Sequence, residues 1–161
     1  MIRAYQHGDH VAIAEIFTRA IHEVASSCYT PAQCLAWSDR KPNPAHWEQR
    51  CETKRPLVYV VNGDIAGFLE VDPDGHLDCL YVHPSHGRRG IATELVRHAV
   101  DACFAKGLSR VYVEASHCAR PLFEKLGFAT LHENRVRIGD QELVNYSMEL
   151  RSTASRETTY P

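Results

Sequence analysis

Between His76 and Ala115 the chain reads as strand, basic glycine-rich turn, long helix and strand. His76–Val82 has strand character. Gly87-Arg88-Arg89-Gly90 forms a tight turn, and Ile91, Leu95, Ala99 and Ala102 then recur on one helical stripe until Lys106-Gly107. A strand that continues through a helix into another strand returns parallel to the first, by a right-handed crossover. This unit therefore places a parallel strand pair in whatever sheet the chain builds.

The flanking segments predict hairpins. Leu57–Val61 and Ile65–Val71 flank Asn62-Gly63-Asp64, where Asn-Gly accepts positive φ. Asp72-Pro73-Asp74-Gly75 then turns into the His76 strand. Two further strands, near Phe128–Ile138 and Glu142–Leu150, flank Gly139-Asp140. Ile2–Tyr5 is a short strand. Asp9 is placed to cap a helix carrying Val11, Ala14, Phe17, Ile21 and Val24, which ends near Ser26-Ser27. Thr30-Pro31 opens a second helix, Asn43-Pro44 a short one through Trp47, and Ser116 one that stops at Gly127. The expected fold class is α/β, of the α+β type: a mixed, mostly antiparallel central sheet with helices on both faces. Residues 1–150 form one domain and 151–161 a polar, frayed tail.

A net charge of -2 over 161 residues gives no excess of positive charge for nucleic acid. No run of eighteen apolar residues is present to span a membrane, and Met1–Tyr5 lacks the apolar core of a signal peptide. The six cysteines form no Cys-x-x-Cys pair and no metal knuckle. The expectation is a cytoplasmic protein with reduced thiols and no metal.

The glycine turn is an anion site in physical terms. The first helical turn has amides without internal partners, and the helix dipole adds positive charge there. Gly87 and Gly90 allow close backbone approach, and Arg88 and Arg89 add charge at the rim. Taken alone, the same residues describe a helix start with two solvated arginines. The Walker pattern is missing.

Leu80-Tyr81-Val82-His83-Pro84, followed by Gly87-Arg88-Arg89-Gly90-Ile91-Ala92-Thr93, resembles the acetyl-CoA signature of the GNAT acetyltransferases, Gln/Arg-x-x-Gly-x-Gly/Ala after an apolar-Tyr-Val-x-Pro strand end. Glu114-Ala115-Ser116-His117-Cys118-Ala119 through Phe123 to Gly127-Phe128 is similar to a second block of that family. The resemblance implies a GNAT-like acyl-CoA N-acyltransferase fold, with acetyl-CoA as acyl donor and direct transfer to an amine of a small molecule or peptide. It also allows a homodimer. By the same resemblance Leu80, Tyr81 and Val82 hold the pantetheine arm. Gly87, Arg88, Arg89, Gly90, Ile91, Ala92 and Thr93 hold the pyrophosphate, and His117 and Phe123 take cofactor-side positions. Three residues depart from the pattern. Gly87 replaces Gln or Arg, His117 replaces Asn, and Phe123 replaces a Tyr whose phenol serves as acid. These departures leave a second reading open, a domain that binds acyl-CoA and signals without catalysis.

Alternation on the His76 strand puts His76, Asp78, Leu80 and Val82 on one face and Tyr81 on the other. Asp78 is then the first candidate for general base, with His76 behind it, the alternative for Asp78 being an ordinary strand-end carboxylate paired with an Arg. Tyr112 is a candidate for the missing acid, its alternative being an aromatic packed in the core. Glu70 is placed to attract an amine, or is a solvated strand charge. Tyr29-Thr30-Pro31-Ala32-Gln33-Cys34-Leu35-Ala36-Trp37 resembles a helical insert of a small bacterial branch, and Tyr29 and Trp37 are candidates to line the acceptor pocket, the alternative for Trp37 being an anchor of its helix to the core. Trp47 and His22 are further candidates there, against anchoring roles in the core.

Overall fold

The computed structural model describes residues 1–153. Seven strands form one sheet in the order β1-β2-β3-β4-β5-β7-β6. They are β1 Ile2–Ala4, β2 Leu57–Val61, β3 Asp64–Val71, β4 His76–Val82, β5 Arg110–Ser116, β6 Ala129–Ile138 and β7 Gln141–Arg151. All neighbours pair antiparallel except β4 and β5, the pair that the crossover requires. The helices are α1 His10–Glu23, α2 Pro31–Trp37, α3 Pro44–Lys54, α4 Ile91–Ala105 and α5 Arg120–Lys125. β7 runs through Arg151, and of the expected tail residues 154–161 lie outside the described ones.

α4 and α5 cover one face. Ile91, Leu95, Ala99 and Cys103 of α4 pack with Leu69, Leu77, Val111 and Val113 of the sheet, with Phe123 of α5 and with Phe128. α1 and α3 cover the other face, where Ile13, Ile16, Trp47 and Cys51 meet Val58 and Phe68. α2 closes a third cluster in which Tyr29 and Cys34 pack with Ile21 and Leu143.

Local chemistry explains the boundaries, with three differences from the sequence reading, the first being Ser116, which ends β5 while Ala119 is the residue preceding α5. Thr30 caps α2 through a full capping box. Its hydroxyl accepts from the Gln33 backbone amide at 3.1 Å, and its own backbone amide donates to the Gln33 side-chain oxygen Oε1 at 2.9 Å. Asp9 precedes α1 but does not cap it. Its carboxylate accepts the Gln6 amide at 2.8 Å and pairs with Arg3 at 2.7 Å. α3 extends beyond Trp47 to Lys54, because Trp47 and Cys51, one turn apart, both reach the core.

The consequential difference is in β4. Glu70 pairs with Asp78, but Leu69 pairs with Leu80, so Cys79 is an extra residue and the strand bulges there. β3 keeps its alternation, and cross-strand partners share a face. Leu77, Leu80 and Val82 therefore face α4, whereas Asp78 shares its face with Tyr81 toward α1 and α3. Strict alternation had placed Asp78 with Leu80 and opposite Tyr81; the bulge reverses both.

Candidate active site

β4 and β5 pair only at His76 with Tyr112 and Leu77 with Val113. Beyond that point the two strands separate, while β3 and β7 hold their outer edges. The inward polar groups of Leu80–Val82 and of Glu114–Ser116 are left without a neighbouring strand, so something else must satisfy them. At the open end lies a cleft of about 630 Å³, reaching the β4–α4 turn. Leu80, Tyr81, Val82, Gly87, Arg88, Gly90, Ile91, Ala92 and Thr93 line it. Arg89 does not line it. Gly90 precedes α4 with φ +79°, and Arg88 adopts φ +60°. This conformation aims the first amides of α4 into the cleft, where no intrahelical carbonyl reaches them. The Nδ1 atom of His86, also on the cleft wall, is buried without a hydrogen-bond partner. These features fit a polyanionic ligand with an amide-bearing arm.

A second cavity, of about 390 Å³, continues from the first along the gap between β4 and β5. Trp37, Leu80, Tyr81, Ser116 and Ala119 line both. Its walls are largely apolar and aromatic, with Phe17, Tyr29 and Phe123 among them, and Asp78 and Glu114 add one carboxylate from each separated strand. Phe123 is almost completely buried and packs edge-on against Phe128.

Asp78 sits in an ion-pair network that spacing alone does not reveal. Arg50 forks onto Glu70 with two contacts of 2.7 Å and reaches Asp78 at 3.2 Å; Lys54 lies 3.3 Å from Asp78 and 2.8 Å from Asp72. Burial pushes the Asp78 carboxyl upward, but the Cys79 amide, Arg50 and Lys54 outweigh it and hold the group below its ordinary value. Asp78 is thus a fixed anion. Glu70 is completely buried and fully engaged by Arg50. It lies outside both cavities and anchors α3 to the sheet, so it is neither a solvated charge nor open to an amine.

His76 bridges Glu114 at 2.5 Å and Asp72 at 3.1 Å. Burial disfavours its charged form, yet the two carboxylates prevail and raise its pKa. Tyr112 stacks on the His76 ring at 4.8 Å, donates its hydroxyl to Asp74, and lies outside both cavities. The geometry therefore does not bring Tyr112 to the reacting end. The His117 amide donates to the Tyr29 hydroxyl at 3.1 Å, and its ring contacts the Tyr146 hydroxyl at 3.2 Å; the residue lines neither cavity. Trp47 is core. His22 is 2.7 Å from the Ser38 carbonyl, as an anchor for the α2–α3 connection.

The acetyltransferase (GNAT) domain family matches residues 25–150. The chain is also 32% identical over 147 residues to the uncharacterized N-acetyltransferase YafP of Escherichia coli K12, covering 91% of this chain and 93% of that one. The chain belongs to the GNAT acetyltransferase family. This acetyltransferase superposes on a GCN5-related N-acetyltransferase from Rhodopseudomonas palustris with a TM-score of 0.87 and 28% identity, over 94% and 95% of the two chains. The fold recurs in yncA of Salmonella typhimurium, a putative acetyltransferase solved with acetyl-CoA, at TM-score 0.70 and 21% identity over 94% and 92% of the chains. Among the described residues no helix is long and apolar enough to cross a membrane.

The cysteines correct one expectation. Cys28 and Cys118, ninety positions apart, are joined as a disulfide, and Cys118 lines the larger cleft. Cys34, Cys51, Cys79 and Cys103 are free. No local spacing marks the joined pair. The roles of Arg50, Lys54 and Glu114 also escape a motif search, because each arises only when a distant strand or helix arrives beside the residue.

Proposed function

We propose that this acetyltransferase moves the acetyl group of acetyl-CoA directly to a primary amine on a small molecule or peptide, within a ternary complex. The separation of β4 from β5 above two connected cavities carries the reading. The α4 amides and Arg88 would hold the pyrophosphate, and the free edge of Leu80–Val82 the pantetheine arm. Acetyl-CoA, when bound, supplies an activated acyl group at the junction near Tyr81 and Ser116. The apolar walls beyond it exclude water and take the body of the acceptor.

An amine must lose a proton before it can attack. Asp78 is held too acidic, between Arg50 and Lys54, to remove that proton efficiently on its own. Its fixed charge draws the ammonium and orients the water that takes the proton. Glu114, across the gap and held by His76, is the second carboxylate of this relay. Phe123 cannot protonate the departing thiolate. The hydroxyls lining the same cavity belong to Tyr29, Tyr81 and Ser116.

Calorimetric titration with acetyl-CoA and CoA, followed by thiol release on an amine panel, tests the proposal. Binding with turnover is expected, and Asp78→Asn should cut kcat/KM by about 10²–10³ with acetyl-CoA affinity preserved. Tight binding with no thiol release on any amine would overturn it in favour of a domain that only binds acyl-CoA.

A further inference from the structure

We propose that Cys28 and Cys118 form a reversible thiol–disulfide site that latches the roof of the cofactor channel. This rests on the assignment of the larger cleft to acetyl-CoA. One wall of that cleft is Val24 and Ala25, at the end of α1; the opposite wall is Cys118, Ala119 and Leu122, around the start of α5. Just beyond these residues the walls touch. Ser27 Oγ is 3.9 Å from Cys118 Sγ, and the Tyr29 hydroxyl accepts the His117 amide while donating to the Val144 carbonyl at 2.7 Å. Ser116 and Ala119, on either side of this contact in sequence, line both cavities. The 27–29 and 116–118 segments therefore roof the passage from one cavity to the other.

The Cys28–Cys118 link is the covalent element of that roof, with Cα atoms 6.1 Å apart. That separation suits a bridge without backbone movement. Cys28 is exposed and Cys118 half-exposed, so small thiols and disulfides reach them; Cys34, Cys51 and Cys103 are buried. The oxidant is a low-molecular-weight disulfide. One cysteine thiolate attacks it, releasing one small thiol and leaving a mixed disulfide. The second cysteine thiolate then attacks the protein-bound sulfur and releases the other small thiol. Two cysteine S–H groups and one small S–S bond become one protein S–S bond and two small thiols. The protein is oxidised by two electrons, and excess thiol reverses the exchange.

Reduced, the roof is held at this contact by the Tyr29 hydroxyl and packing, and it opens to admit a cofactor sideways. Oxidised, it forces the cofactor to thread end-on, so association and release both slow.

The test uses the full chain in two states, treated with dithiothreitol or with oxidised glutathione. Thiol titration under denaturing conditions should count six cysteines in the first state and four in the second. Stopped-flow displacement of CoA should show release slower by about tenfold when oxidised, as expected when binding requires a conformational step. The double variant Cys28→Ser/Cys118→Ser, which leaves no thiol at the roof to form a mixed disulfide, should release CoA at one and the same rate under both treatments. Six free thiols after oxidation, or equal release rates in the two wild-type states, would overturn the latch and leave the cofactor assignment standing. No CoA binding in either state would overturn the cofactor assignment and the latch with it.

Discussion

Replacing Arg50 by Met isolates the energetic role of the buried ion pair. Glu70 is completely buried, and Arg50 supplies both of its short contacts while remaining 29% exposed itself. Removing one member of a buried pair leaves an uncompensated charge and costs about 3–5 kcal/mol. Water reaching the Arg50 side moves the expectation toward the lower limit, about 3 kcal/mol. For a chain of this size that lowers Tm by about 6–12 °C. Glu70→Leu alone should cost less, because Arg50 keeps Asp78 at 3.2 Å. The double variant Arg50→Met/Glu70→Leu should return to within about 1 kcal/mol of the wild type, since no buried charge is then stranded and apolar replacements of such pairs are well tolerated. Urea unfolding of the four proteins closes the cycle. A Tm loss below about 2 °C for Arg50→Met, or additive losses in the double variant, would refute the argument that α3 is held to the sheet by charge pairing.

Gly90→Val should raise the Kd for CoA at least about tenfold, because a β-branched residue at φ +79° costs roughly 1–2 kcal/mol and turns the α4 amides away from the cleft; unchanged affinity by calorimetry would count against the anion site. Thr30→Ala removes one arm of the α2 capping box and should cost about 1 kcal/mol, read as a Tm loss of about 2–4 °C. The raised pKa of His76 means that its stabilising contribution is complete below its ordinary pKa of 6.5 and drains as pH rises through the higher folded value. Tm measured across that interval should fall more steeply in the wild type than in His76→Gln, and parallel curves would remove His76 from the argument.

What the sequence discloses is what local chemistry decides. The Gly87–Gly90 turn, the Thr30-Pro31 helix start and the Asn62-Gly63 hairpin carry their geometry in adjacent residues, and the structure reproduces them. The crossover rule orients β5 correctly because chirality needs no knowledge of partners. The bulge at Cys79 lies inside a strand with no glycine or proline to mark it, so a reading by alternation puts Asp78 on the wrong face. α3 is underestimated because only Trp47 and Cys51 of its later residues are buried, and the rest of its surface reads as polar loop. The roles of Arg50, Glu114 and the Cys28–Cys118 pair arise from contacts across 20 to 90 positions or from which cavity the folded chain encloses.

The central sheet is sutured at β4 and β5 by two residue pairs, with four strands on one side and three on the other. A ligand filling the gap completes a missing row of hydrogen bonds and ties the halves together, so occupancy becomes part of the folding equilibrium. Stabilisation then grows as RT ln(1 + [L]/Kd), about 2.7 kcal/mol at a hundredfold excess over Kd. The lifetime of the enzyme against proteolysis would rise and fall with the supply of its own cofactor, so that scarcity of acetyl-CoA removes the catalyst as well as the donor.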